Sequence, residues 1–144
     1  MRKKGFSLIE VLLSISLMSF LSVSVYVVNI QFLQKNELQN ATSILSDSLA
    51  YAQTSATTMR DDSDWGVHYN ANQIVVFKGN VYSSRDMNYD QVYVVTQGIN
   101  ITGANDLVYK KYTGALQNPG NVVITSRNNE TKTIQVNSVG AITY

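Results

Sequence analysis

The stretch Lys3-Lys4-Gly5-Phe6-Ser7-Leu8-Ile9-Glu10-Val11-Leu12-Leu13 decides how the rest of the chain is read. It sets bases, a glycine and an aromatic residue ahead of an apolar run, and it places one acid, Glu10, inside that run. After Glu10 no side chain is charged until Lys35. About 20 predominantly apolar residues of helix cross a bilayer core, so the run to Gln34 is long enough to span. Each Leu, Ile, Phe or Val near the middle of such a helix favours insertion by about 0.3–0.6 kcal/mol. Leu8, Ile9, Leu12, Leu13, Ile15, Leu17, Phe20, Leu21 and the valines that follow can therefore offset the roughly 2.5–3.5 kcal/mol that one central charge costs. Arg2, Lys3 and Lys4 orient the segment by the positive-inside rule, with the N-terminus cytoplasmic and everything after about Gln34 outside.

Three readings of this segment compete. In the first it is a single-pass anchor, with the Glu10 carboxylate reaching the headgroups. In the second it is a secretory signal cut after the loose small-x-small pattern Ser22-Val23-Ser24, so that the mature chain begins at Val25. Against that stand an acid within the apolar region and the length of the run beyond the cut. The third reading takes the whole string: bases, Gly5, Phe6, then an apolar stretch with Glu10 five positions after the glycine. This string resembles the class III signal of type IV prepilins and type II secretion pseudopilins. The resemblance implies cleavage between Gly5 and Phe6 by prepilin peptidase, a membrane aspartyl peptidase, and N-methylation of Phe6. It also implies assembly through the helix, with Glu10 of one subunit beside the Phe6 ammonium of another. An unpaired charge in an apolar bundle costs several kcal/mol, whereas a paired and hydrogen-bonded one recovers much of that.

Composition narrows the body of the protein. The 144 residues carry a formal net charge of +1, but Arg2, Lys3 and Lys4 contribute to it; without them eight bases face ten acids. Bulk electrostatics therefore do not make the body a nucleic-acid binder, since phosphate affinity rests on clustered Lys and Arg. The absence of cysteine excludes disulfides, thiolate metal sites and cysteine nucleophiles. Nine tyrosines, one proline and abundant Asn, Ser and Thr in the second half suit a β-rich domain with polar turns.

No Pro or Gly interrupts Phe6 to Met59, and Leu38, Thr42, Leu45, Leu49, Ala52, Ala56 and Met59 recur at helical spacing. A helix over this range is roughly 80 Å long, far beyond a hydrocarbon core of about 30 Å, so its second half must bury its stripe against a globular head. Asp61, Asp62, Ser63 and Asp64 are expected to stop it. Ser14, Ser16, Ser19, Ser22 and Ser24 either let helices approach and bond across an interface or are simply tolerated small residues.

Beyond the helix, eight β-branched or aromatic runs predict strands: 67–69, 74–77, 92–95, 99–101, 107–112, 122–124, 133–136 and 141–144. Short Gly- and Asn-rich connections favour antiparallel pairing in one or two small sheets. The expected fold class is α+β, a long N-terminal helix, half transmembrane and half amphipathic, packed on a small antiparallel β head. The boundaries that follow are a leader at 1–5, a transmembrane and polymerisation helix at 6–34, an amphipathic helix at 35–60 and a head at 61–144. The pattern of "LAYAQTSA", "WGVHY", "VVFKG" and closing "IQVNSVGAI" is similar to the GspH/FimT branch of minor pseudopilins and pilins. That resemblance implies a structural filament subunit rather than an enzyme. Its implied partners are other pilin or pseudopilin subunits, prepilin peptidase, an inner-membrane assembly platform and the lipid bilayer. The competing class is a membrane-anchored or secreted β-rich binding domain that does not polymerise.

Other chemistry is thin, and no cofactor is implied. The single histidine, His68, falls in an expected strand and reads as a solvent-facing or satisfied structural residue, since zinc sites need several partners. Asp86-x-Asn88-x-Asp90 opens like a calcium loop, but Gln91 stands where that loop has Gly and Gln97 where it has Glu, so a solvated turn competes with a metal site. Lys110, Lys111, Arg127 and Lys132 could form a small basic patch for DNA, offset by nearby acids.

Overall fold

The computed structural model describes residues 6–70, 72–104 and 106–143, and the side chains of 24–29 are also outside the description. The leader with Gly5, and Val25 and Ser24 as side chains, thus lie outside the described residues. The chain divides into two units, one ending at Gln34 and one comprising Lys35–Tyr144.

An uninterrupted run of helix-compatible residues gives α1, Leu8–Thr57. From Lys35 onward one face of α1 is buried, with Leu38, Ala41, Leu45, Leu49, Ala52 and Ala56 in the core. Ser48 and Ser55 are buried on the same helix, where small side chains allow close packing. Met59 departs from the expected stripe and is 47% exposed. The helix has already ended by then. The Thr57 and Thr58 hydroxyls donate to the Gln53 and Thr54 carbonyls, and Met59 takes a left-handed φ of 56°. Asp61 and Asp62, expected as the stop signal, instead follow the stop in a 3₁₀ turn, Arg60–Asp62, with positive φ at both. Asp64 ties this turn to the head: its Oδ1 accepts the Lys111 N–H at 2.8 Å and its carbonyl accepts the Gly79 N–H at 2.8 Å.

Eight strands follow: β1 (Trp65–Tyr69), β2 (Gln73–Lys78), β3 (Asp86–Val94), β4 (Asn100–Gly103), β5 (Asp106–Tyr109), β6 (Gly120–Thr125), β7 (Thr131–Val136) and β8 (Ile142–Thr143). They form two antiparallel four-stranded sheets, in the orders β3-β2-β1-β5 and β4-β6-β7-β8. Two expected boundaries move the most. β3 begins at Asp86, six residues before the expected start at Val92, so the segment read as a solvated turn is the first half of an edge strand. β5 stops at Tyr109, because the Tyr112 N–H turns back to the Ala56 carbonyl at 3.1 Å and Tyr112 adopts a φ of 70°.

Alternation along each strand feeds one shared core. Trp65, Val67 and Tyr69 of β1, Ile74 and Val76 of β2, Leu107 and Tyr109 of β5 join Val122, Ile124, Ile134 and Val136 of the second sheet against α1. The opposite face of the first sheet is also closed. The Phe77 ring lies over Gly66, where a Cβ would come within 2.5 Å of it, and Tyr82 packs edge-on to Phe77 at 5.4 Å.

Candidate functional site

The N-terminal segment is read from its backbone outward. The first helical bonds run from the Glu10 and Val11 N–H groups to the Ser7 carbonyl, at 3.1 and 3.2 Å. From Phe6 to Val23 every side chain is exposed, including Phe6 at 84%, Leu8 at 79% and Leu13 at 70%. A helix that is apolar on all sides needs a covering of lipid or of other helices. Ser14, Ser16, Ser19 and Ser22 each donate to a carbonyl one turn back, at 2.8–2.9 Å. Their hydroxyl protons are thus already placed, which favours tolerated small residues over donors across an interface; the Ser24 side chain is outside the description.

Glu10 is different. Ser7-x-x-Glu10 has the spacing of a capping box, yet the reciprocal side-chain bonds are not made. Among the described residues its carboxylate has no hydrogen-bond or ion-pair partner. It lies in the first turn of α1, where the helix dipole favours a negative charge, and it lines a shallow groove with Phe6, Val11, Ser14, Ile15 and Met18. Phe6 and Glu10 are one helical turn apart, so one exposed surface carries both the first described residue and the acid. Among the described residues no helix is long and apolar enough to cross a membrane. The described apolar side chains run to Val23 and resume at Ile30, Phe32 and Leu33, and those of 24–29, which the expected span includes, lie outside the description.

Residues 1–26 match the family model of the prokaryotic N-terminal methylation motif. The fold is similar to that of the minor pseudopilin EpsH from the type 2 secretion system of Vibrio cholerae, with a TM-score of 0.56 over 74% of this chain and 94% of that one, at 11% identity. The motif thus covers the start of the chain, and the fold is that of a minor pseudopilin. A comparison of the sequence with curated proteins finds no match. The α+β class, with a long N-terminal helix and antiparallel sheets, is the pseudopilin fold.

The remaining candidates on this pilin-like head resolve as structural contacts. His68 Nδ1 lies 2.6 Å from Asp106 Oδ1, and its ring stacks on Tyr82 with 3.7 Å between centroids. Tyr82 in turn lies under the Arg85 guanidinium at 3.8 Å, and Arg85 Nε donates to both oxygens of Asp90 at 3.0 and 2.8 Å. Asp86, Asn88 and Asp90 sit at alternate positions of a strand rather than around a loop. Asp86 accepts from the Asn88 backbone and amide, and Asp90 is committed to Arg85. Among the described residues no group of three His, Cys, Asp or Glu side chains could hold a metal. The four bases do not gather either. Lys111 pairs with Asp62 near the end of α1, Lys132 lines a groove with Gln39, Thr42, Ser43 and Ser46, and the intervening helix separates them by about 20 Å. Sequence reasoning missed the Asp106–His68–Tyr82–Arg85–Asp90 stack: the His68–Asp106 pair depends on the register of β1 against β5, whereas Tyr82, Arg85 and Asp90 meet over three and five residues of chain.

Proposed function

We propose that the chain is a structural, non-enzymatic subunit of a type IV pilus or type II secretion pseudopilus, and a minor one. Prepilin peptidase cuts after Gly5 on the cytoplasmic side and Phe6 becomes the methylated N-terminus. The bases that hold the terminus in place are thereby lost and an α-ammonium is created. The subunit waits in the cytoplasmic membrane with its head outside, its span taking in residues 24–29 as well as the described run. An assembly platform then draws it into a filament, where Glu10 pairs with the Phe6 ammonium of a neighbour.

The observation that carries this reading is the methylation motif joined to a helix start, up to Val23, that keeps its apolar side chains exposed and its one acid, Glu10, without a partner among the described residues. Such a carboxylate costs several kcal/mol in an apolar bundle until it meets a cation, so pairing favours one register between subunits. Mass spectrometry of the membrane form tests the processing: an N-terminal methyl-Phe6 is expected, and an intact Met1 or a start at Val25 overturns it. Glu10→Ala tests the pairing. Cleavage at Gly5 is expected to persist while incorporation into filaments is lost, and incorporation at the wild-type level refutes the role of Glu10.

A further inference from the structure

The longest strand of the head is also its open edge. β3 is outermost in its sheet, so alternate backbone N–H and C=O groups along it face away from β2. Among the described residues, the backbone of β3 bonds to β2 and otherwise only through the Asn88 N–H, which donates to Asp86 Oδ1 in the first half of the strand. The other edges are closed or short. Beside β5, Leu116 bridges to Tyr109 and the Gln117 N–H donates to the Val108 carbonyl at 2.8 Å. β4 has four residues and ends on a glycine, and β8 has two.

β3 also lacks the usual defences of an edge along its second half. Gln91-Val92-Tyr93-Val94-Val95-Thr96 has no charge, proline or glycine, and Val92 and Val94 are 53% and 79% exposed. Pairing of Val92 with Val75 and of Tyr93 with Ile74 sets the two valines on the face away from α1. Gln91 and Tyr93 lie on the α1 side, where the Gln91 amide already donates to the Tyr51 hydroxyl at 2.8 Å. The acids Asp86 and Asp90 are confined to the first half of the strand.

We propose that β3 is a self-pairing edge, through which two copies of this chain join head to head by an antiparallel β3–β3 contact centred on Val92. A row of unpaired backbone groups is satisfied by an extended strand, and a second β3 supplies one over residues 90–94. Parallel in-register pairing would set Asp90 against Asp90 and Asp86 against Asp86. The antiparallel arrangement sets Val92 against Val92, Gln91 against Tyr93, and Asp90 against Val94 of the second copy, so no acid faces an acid. The two four-stranded sheets become one continuous sheet. The contact is isologous and closes on itself, so it makes a pair and does not propagate as a filament does. It is small, at the low end for specific interfaces, and hence reversible.

The chain has no cysteine, so one introduced thiol is its only one. Directly opposed Cβ atoms in an antiparallel pair are about 4.5–5.5 Å apart, close to the separation a disulfide bridges. Full-length Val92→Cys, oxidised mildly in membranes and run without reductant, is expected to shift from monomer to dimer. Thr133→Cys, exposed on β7, is expected to stay monomeric. Adding Val94→Asp to Val92→Cys opposes two acids and should abolish the dimer, whereas Val94→Lys opposes Asp90 and should retain it. Dimer no stronger than that of Thr133→Cys, or a cross-link only to a different protein, overturns the self-pairing. Equal loss with Asp and Lys at 94 overturns the register. The thiol reports on the head alone, so these outcomes stand whether or not Phe6 proves to be methylated.

Discussion

Truncating Leu45 to alanine tests whether the head is held together through α1. Leu45 is fully buried, flanked along the helix by Ala41 and Leu49, and surrounded by core residues from both sheets. Leu→Ala substitutions in such positions cost about 2.7–5.0 kcal/mol, more where the surroundings cannot relax into the cavity. With a helix on one side and hydrogen-bonded sheets on the other, relaxation is restricted, and a loss of about 3 kcal/mol is expected. That is a large share of the roughly 5–15 kcal/mol that holds a domain together. With a urea slope of about 1.5 kcal/mol per molar, the midpoint should fall by about 2 M. The chain supplies its own probe. Trp65 is its only tryptophan, is 1% exposed, and stands edge-on at 6.2 Å to both Tyr51 of α1 and Tyr89 of β3, so its emission reports the docking of helix on sheet. Asp47→Ala, on the exposed side of the same helix, is the control and should move the midpoint little. If Leu45→Ala unfolds at the same urea concentration as Asp47→Ala, the helix stripe is not what stabilises the head.

Two further perturbations follow from the same packing. Gly66→Ala would bring a methyl group to 2.5 and 2.8 Å from Phe77 ring carbons and 3.0 Å from a Val108 methyl, with Tyr82 packed against that ring, so a cost of about 1–3 kcal/mol is expected. A melting temperature equal to wild type would show that the ring can move aside. Burial, with a smaller contribution from Asp106, pushes the Tyr69 hydroxyl up from its ordinary 10.0 to about 12. Its contribution to stability is therefore complete below pH 10 and is lost as pH rises through about 12, because the unfolded chain releases that proton first. Burial raises Tyr109 as well, adding to the same decline. Tyr69→Phe should cost about 1 kcal/mol at neutral pH for the lost bond to the Ala104 carbonyl, yet flatten the fall above pH 10; an unchanged alkaline slope in denaturant titrations would refute the assignment.

Much of this architecture is legible in the sequence for local reasons. Helix spacing without Gly or Pro gives α1, and β-branched runs between Gly- and Asn-rich turns give all eight strands. The misreadings are equally local in origin. Met59 continues the apolar period, but periodicity carries no information about threonine hydroxyls competing for the last carbonyls of the helix. Asp86-Met87-Asn88 looks like a turn because Asp and Asn are poor strand formers, yet an edge strand exposes them to water and tolerates them. The partition into two sheets was out of reach. Setting β5 beside β1, with Trp65 opposite Tyr109, depends on contacts between distant segments, and so does every side-chain pairing that follows from it.

Glu10 was legible for the opposite reason: its anomaly is a cost, and costs are local. The structure sharpens that anomaly, because no capping bond among the described residues accounts for the acid. A capping role would show the carboxylate bonded back to the start of the helix, and it is not. The groove beside Glu10 is lined by Phe6, Val11, Ser14, Ile15 and Met18, with the Ser14 hydroxyl already bonded to the Glu10 carbonyl. Ser14, Ser16, Ser19 and Ser22 have likewise placed their protons on backbone carbonyls. Among the described side chains of the apolar segment, Glu10 carries the one charge, and it has no partner. In the proposed assembly a neighbour shifted along the helix by about one turn brings its Phe6 ammonium level with that carboxylate. Dispersion between apolar helices is nearly indifferent to such shifts, so the charge pair would select the register while the surrounding side chains supply the adhesion.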